Sequence, residues 1–273
     1  QADCNEMEEN SMKRKYMIIV LMAGALELTG CSQGTSNSAK NGTTGSENTI
    51  ISESDIAILD TEDMFTERDR DTEYDESECT AISLSDEETK CDSDGVKMDG
   101  QTVTITEGGT YLLTGSLSNG SVVVDTDKTE KVQLILENVS IINEEGAGIC
   151  VEQADKVFIT LADGSTNKIV SNSFTGNEDT NIDGAIFSRE DLTLNGSGTL
   201  KITSAAHGIV SKDDLVLTGG VYQIQSEKQG LSGKESVRIA DGTFTITSGT
   251  DAIHSEDTDE DTKGFVYITG GVL

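Results

Sequence analysis

Asp179, Asn181, Asp183 and Glu190 stand in the stretch DTNIDGAIFSRE, which reads D-x-N-x-D-G-x5-E. Oxygen-bearing side chains at alternate positions, a glycine where the chain must turn sharply and a closing glutamate make the ligand spacing of a calcium loop. The helix-flanked form of that loop is not expected here. The segment that follows, DLTLNGSG, reads as a strand and a glycine turn. A curled loop can still aim three oxygens at one Ca2+, with Glu190 closing the site; a solvated polar loop that happens to match is the plainer alternative. A second acidic run, SEDTDEDTKG, alternates Asp257, Asp259 and Asp261 but lacks the turn glycine and the closing glutamate. It is a weaker candidate for the same ion, and a plain charged loop explains it as well.

The elements that carry these loops repeat. Ile186, Ile209, Leu231 and Ile253 follow one another at steps of 23, 22 and 22. Leu194, Leu217 and Ile239 keep the same period, as do Leu200, Tyr222 and Phe244, and Ile202, Ile224 and Ile246. Within each repeat apolar and polar residues alternate in short runs, the mark of strands with one buried face, and Gly, Asn, Asp and Ser stand between the runs. Three short strands in about 22 residues form one coil of a single-stranded parallel β-helix. The chain is therefore expected to be all-β, its columns stacked as interior ladders about 4.8 Å apart. Val132 and Val157, offset by 25, extend the pattern upstream. Two steps are long: Ile149 to Ile186 is 37 and Val237 to Val266 is 29. Both acidic loops fall in these insertions, which in a solenoid map to the surface.

The same stacking predicts two charged columns. Glu190, Asp213, Glu235 and Asp257 lie one coil apart, and beside them run Arg189, Lys212 and Lys234. Carboxylates spaced like rungs repel one another, so the basic column or bound cations must relieve them. Arg189, Lys212 and Lys234 are also the local exception to a negative chain and can meet a uronate polymer. His207 and His254 read as coil-corner residues rather than an acid/base pair.

Composition sets the limits. The chain has 273 residues, with 50 Asp+Glu against 19 Lys+Arg and a net charge of −31. That field disfavours nucleic acid and anionic lipid surfaces. It has 28 Gly, no Pro and no Trp, which suits short strands and tight turns. Cys4, Cys31, Cys79, Cys91 and Cys150 form no CxxC pair. Whether Cys79 and Cys91 pair is left open by spacing alone, and Cys150 reads as a packed residue.

Residues 1–31 read as an address. From Met12 the chain runs MKRKYMIIVLMAGALELTGCS, a basic start, an apolar run broken only by Glu27, and Leu28-Thr29-Gly30-Cys31. This order resembles the signal peptide and lipobox of bacterial lipoproteins, in which the cysteine is lipidated. It implies lipidation at Cys31 and a lipid-anchored place on the extracellular face of the bacterial cell membrane, the anchor being the sole membrane contact. Residues 32–78 read as a flexible acidic tether and 79–273 as the β-helix domain, with the final FVYITGGVL expected to break off in mid-strand.

The phrases GQTVTITEGGTYLLTGSL, KVFITLADG, AIFSREDLTLNGSGTL, HGIVSKDDLVLTGG and GLSGKESVRIADGTFTIT occur in an order that resembles bacterial cell-surface β-helix proteins described as carbohydrate-binding. That family is best known from cellulose- and pectin-degrading clostridia. The resemblance covers about residues 65–273. It implies a right-handed β-helix, calcium, and plant cell-wall polysaccharide as the partner of a monomer. It supplies no binding residues. Three functions compete: a non-catalytic, surface-anchored protein that binds plant cell-wall polysaccharide, pectin-type polyuronate or cellulose, with calcium structural or bridging; a calcium-dependent polysaccharide lyase; and a structural adhesin or spacer without sugar specificity. For the lyase, Arg189, Lys212 and Arg238 are candidate bases by charge alone.

Overall fold

The computed structural model describes residues 18–20, 61, 63–174 and 181–273. Cys31 and Asp179 lie outside them. The chain is a single-stranded parallel β-helix with three faces, called A, B and C below. One coil shows the plan. Gly184–Ser188 lies on face B, Asp191–Gly196 on face A and Thr199–Ser204 on face C; His207–Ser211 then returns to face B beside the first strand. The strand Gly109–Leu117 turns from face A into face C, and Gly115, at φ +87, sits at its corner. Antiparallel pairing occurs towards the N-terminal side, between Thr80–Leu84 and Lys90–Cys91 and between Val96–Asp99 and Thr102–Ile105. Ile18–Val20, within the apolar run near the N-terminus, pairs in parallel with Phe265–Ile268.

The expected ladders are the observed registers. Ile149, Ile186, Ile209, Leu231 and Ile253 are partners in succession on face B. Val132 pairs with Val157, and Val237 with Val266, so both the 25-residue step and the 29-residue step keep phase. On face C, Leu200, Tyr222 and Phe244 stack into the core. The Tyr222 and Phe244 rings lie 4.9 Å apart with planes 6° from parallel. Above them the same column holds Asn167, fully buried. Its amide accepts from Val139 N–H and donates to Ser165 Oγ and the Thr199 carbonyl, so a polar residue is tolerated where the corner offers partners.

One segment differs from expectation. Residues 63–71 fall in the stretch expected to be flexible tether, yet they pack across the outside of face A. Thr66 caps the short helix Glu67–Arg70 in a capping box with Asp69. Asp69 is buried, and its Oδ1 accepts from Thr193 Oγ1 at 2.7 Å and lies 2.8 Å from Lys156 Nζ. Asn195 Nδ2 donates to the carbonyls of Asp69 and Asp71, and Arg238 Nη1 to that of Met64. Arg68 lies over the Phe158 ring and donates to Gln133. An acid-rich composition hid this strap because its anchors, Asp69 and Arg68, find Lys156, Thr193 and Gln133 on the outward row of face A.

Candidate functional site

Face B carries a groove on its outer side. The outward column runs Val123, Cys150, Phe187, Val210, Ser232, His254. Its upper part is apolar, and Ala147, Cys150, Phe187 and Val210 form a small cluster outside the main core with Ile182 packed against it. Ile182 belongs to the long insertion, and its side chain covers the upper part of face B. Below it the column turns polar and the surface opens into a groove of about 260 Å³. Asp183, His207, Lys212, Gln229, Lys234 and His254 are among its lining residues.

Two of the three basic residues singled out by spacing, Lys212 and Lys234, meet in this groove. Lys212 Nζ lies 3.6 Å from Asp183 Oδ1 and 5.3 Å from the centre of the Phe187 ring. Lys234 Nζ lies 3.4 Å from Asp259 Oδ2 and 3.6 Å from Asp257 Oδ2. Arg189 stands one coil above. Its Nε donates to Glu152 at 2.7 Å and its guanidinium lies over the Phe187 ring, 5.6 Å from the ring centre, outside the groove lining. Arg238, a candidate by charge, is committed elsewhere. It pairs with Asp214 and bonds to Ser236 and Met64 under the strap.

Both histidines line the groove, which spacing did not reveal because they stand in different columns. His207 shares a row position with Gly184, His254 with Ser232. His207 Nδ1 accepts from the Gln229 N–H at 3.3 Å, which places the proton on Nε2, 3.4 Å from Asp183 Oδ2. His254 lies between Asp251 and Glu256, with nitrogen to oxygen distances of 3.4 and 3.7 Å. Burial works to raise the Asp183 pKa, but His207 and Lys212 outweigh it and hold the carboxyl below its ordinary value.

The proposed calcium ligands are distributed as follows. Asn181 adopts the left-handed conformation at φ 54, which asparagine tolerates better than most residues, so the turn itself accounts for its identity. Asp183 faces Lys212 and His207. Glu190 lies at the corner between faces B and A, its carbonyl accepting from Ser188 and Ser211. Asp257 Oδ1 accepts from the N–H groups of Asp259 and Glu260, at 2.7 and 3.0 Å, and so holds its own turn. Asp261 is exposed. Among the described residues no three His, Cys, Asp or Glu side chains gather where they can hold a metal ion. Asp183, Asp257 and Asp259 face cationic side chains, Asp183 Oδ1 is buried without a hydrogen bond, and Asp179, the first residue of the expected ligand set, lies outside the described residues.

The acidic column is relieved by two devices. Glu235 pairs with Lys263, and Asp257 with Lys234. Asp213 is instead shifted towards its neutral form: burial, then the charge of Asp191 and a hydrogen bond with Glu235, push its pKa up to about 7. Cys79, Cys91 and Cys150 are free thiols. Cys150 is buried on face B beside Glu152, and burial followed by that carboxylate pushes its thiol far up, away from nucleophile chemistry.

Residues 99–273 match the family described as carbohydrate-binding domain-containing proteins. The chain belongs to that family. A protein of Acetivibrio thermocellus bearing the same description is 41% identical over 184 residues, which are 66% of this chain and 64% of that relative's length. The chain thus spans somewhat less than two thirds of that relative. A solved structure described as the polysaccharide lyase-like protein from C. thermocellum is also similar. Its TM-score is 0.67 at 35% identity, over 71% of this chain and 80% of that one. The family match spans the coils of the groove; the strap at 63–71 lies ahead of it.

Proposed function

We propose that this family member holds plant cell-wall polysaccharide without cleaving it, with a pectin-type polyuronate chain lying in the face B groove. One observation carries the reading: Lys212 and Lys234 stand one coil apart in a single groove, with His207 and His254 beside them, on a chain of net charge −31. A carboxylate-bearing polymer gains at these cations and is repelled by most of the remaining surface. Binding without cleavage fits the bonding state of the groups present. The acceptor nitrogen of His207 is occupied by Gln229 N–H, and Lys212 and Lys234 each face a carboxylate. The relative described as carbohydrate-binding supports this reading; the lyase-like description of the solved neighbour is the reason to assay for unsaturated product. With Cys31 lipidated, the groove would be presented at the outer face of the cell membrane.

The test is retention of residues 32–273 on insoluble polygalacturonate, with calcium and with chelator, alongside Lys212→Ala/Lys234→Ala. Retention in both conditions that the double variant loses supports direct ionic contact. Retention lost with chelator alone assigns the contact to a bridging calcium ion, and Asp183→Ala then tests whether the loop from Asp179 to Glu190 holds it. Release of unsaturated sugar makes the protein a lyase, and passage through the column unretained makes it a spacer.

A further inference from the structure

Lys156 and Asp69 meet under the strap in a setting that the other lysine–carboxylate pairs lack. Their side chains are 16% and 2% exposed, against 28% and 27% for Lys263 and Glu235 and more for Lys131 and Asp155. Lys156 Nζ lies 2.8 Å from Asp69 Oδ1. Cγ is one bond further on, at the edge of the range of about 3–3.5 Å in which reacting atoms are held ready for attack. The other carboxyl oxygen is gripped from the strap: Oδ2 accepts from Thr66 N–H at 2.9 Å and from Thr66 Oγ1 at 2.8 Å. Oδ1 also accepts from Thr193 Oγ1 at 2.7 Å. The Phe158 ring stands beside the ammonium, its centre 5.5 Å from Nζ. A second carboxyl is placed by register. Asp191 is the partner of Lys156 one rung along face A, in the same outward column.

We propose that Lys156 and Asp69 are the two halves of a self-forming amide cross-link, a modification site that ties the strap covalently to the wall of the β-helix. As ions the two groups do not react: an ammonium has no lone pair to offer, and a carboxylate is a poor electrophile. Passage of one proton from Nζ to Oδ1, along the hydrogen bond already present, gives a neutral amine and a neutral acid. Nζ then attacks Cγ. The negative charge of the tetrahedral intermediate falls on Oδ2, where the two Thr66 donors receive it. Asp191 takes a proton from the nitrogen and passes it to the Oδ1 hydroxyl, which leaves as water while the carbonyl reforms at Oδ2. One ammonium and one carboxylate become one amide and one water, with no oxidant or outside reagent. The product removes two charges from an enclosed place, which relieves the cost of keeping them there. The site favours the ions, holding the Asp69 carboxyl down to about 2, so the first transfer is slow. A bond that forms once per molecule tolerates a slow step, and until it forms the contact is an ordinary ion pair. Once it forms, a pull on the chain ahead of residue 63 reaches the wall through a covalent bond, and the strap cannot peel. The proposal is independent of what the face B groove holds.

The test is mass spectrometry of the purified chain, incubated folded, then denatured and measured intact and after proteolysis. The unaltered chain is expected to weigh one water less than its composition, and its digest to contain the segments of Asp69 and Lys156 joined as one species. Lys156→Arg keeps a cation beside Asp69 but is expected to show the full mass and no joined species, with the circular dichroism of the parent. Asp191→Asn is expected to slow the gain of the joined species about a hundredfold after dilution from urea. The full mass in the unaltered chain after long incubation overturns the proposal. A water loss that maps to Asp69 alone overturns it in favour of a cyclised aspartyl residue. A joined species that forms equally fast in urea, where the fold brings nothing together, overturns it too. Formation at the parental rate in Asp191→Asn overturns the role given to Asp191.

Discussion

Lys156 Nζ lies 2.8 Å from Asp69 Oδ1, and this contact joins the N-terminal strap to the wall of the β-helix. Lys156 belongs to a strand of face A, Asp69 to the capped helical turn, and both side chains are largely hidden from solvent. Burial works to raise the Asp69 pKa; Lys156, Thr193 and the Thr66 N–H outweigh it and bring it down to about 2. A carboxyl with a lowered folded pKa stabilises the fold at pH values above its ordinary 3.8. That stability is lost as pH falls through about 2.

Asp69→Ala leaves Lys156 without its partner in a buried place and should cost about 3 kcal/mol. Urea denaturation at pH 7 checks the size. The strap should also become sensitive to protease near residue 70 while the coils resist. An unchanged midpoint and cleavage pattern would show that the strap contributes nothing.

Asp213 gives the opposite sign. Its folded pKa of about 7 lies above the ordinary 3.8, so the folded chain keeps a proton that the unfolded chain has released. Stability falls as pH rises across the window from about 4 to about 7, and the penalty is complete above it. Asp213→Asn removes the penalty. It should raise stability at pH 8 by about 1 kcal/mol, a figure reduced for the solvent at this corner, and change nothing near pH 4. Equal effects at both pH values would mean that the column of Glu190, Asp213 and Glu235 is relieved in some other way.

Gly196 turns the chain from face A towards face C at φ +96, and a Cβ there would stand 2.2 Å from the Leu161 carbonyl oxygen one coil above. The residue is therefore fixed both by its backbone conformation and by the approach of the next rung. Gly196→Ala should cost about 3 kcal/mol, from left-handed strain and overpacking together. Thermal melting followed by circular dichroism checks it, and a loss below about 0.5 kcal/mol would show that the corner can relax.

The ladders were legible because burial on one face of a strand leaves a period in the sequence, and the coil repeats that period. Ile186 to Ile253 and Leu200 to Phe244 announce themselves in this way. The strap was not legible, because Asp69 and Arg68 are partnered by Thr193, Lys156 and Gln133, residues far away in sequence. The groove was half legible. Lys212 and Lys234 share a column, so stacking predicted their neighbourhood, while His207 and His254 come from different columns and share only the groove they line.

Binding in the face B groove should depend on salt. Attraction between exposed cations and a polyuronate is screened over about 8 Å at physiological ionic strength and about 3 Å at 1 M. Lys212 and Lys234 each face a carboxylate of the protein, so each contributes modestly, and the pair together about tenfold in affinity. Retention on polygalacturonate should therefore weaken steeply between 0.05 and 1 M salt (both about), and Lys212→Ala/Lys234→Ala should show a shallower dependence from a weaker start. Column retention on polygalacturonate at four salt concentrations decides it. If retention is unchanged across the range, the cations of the groove do not carry the contact.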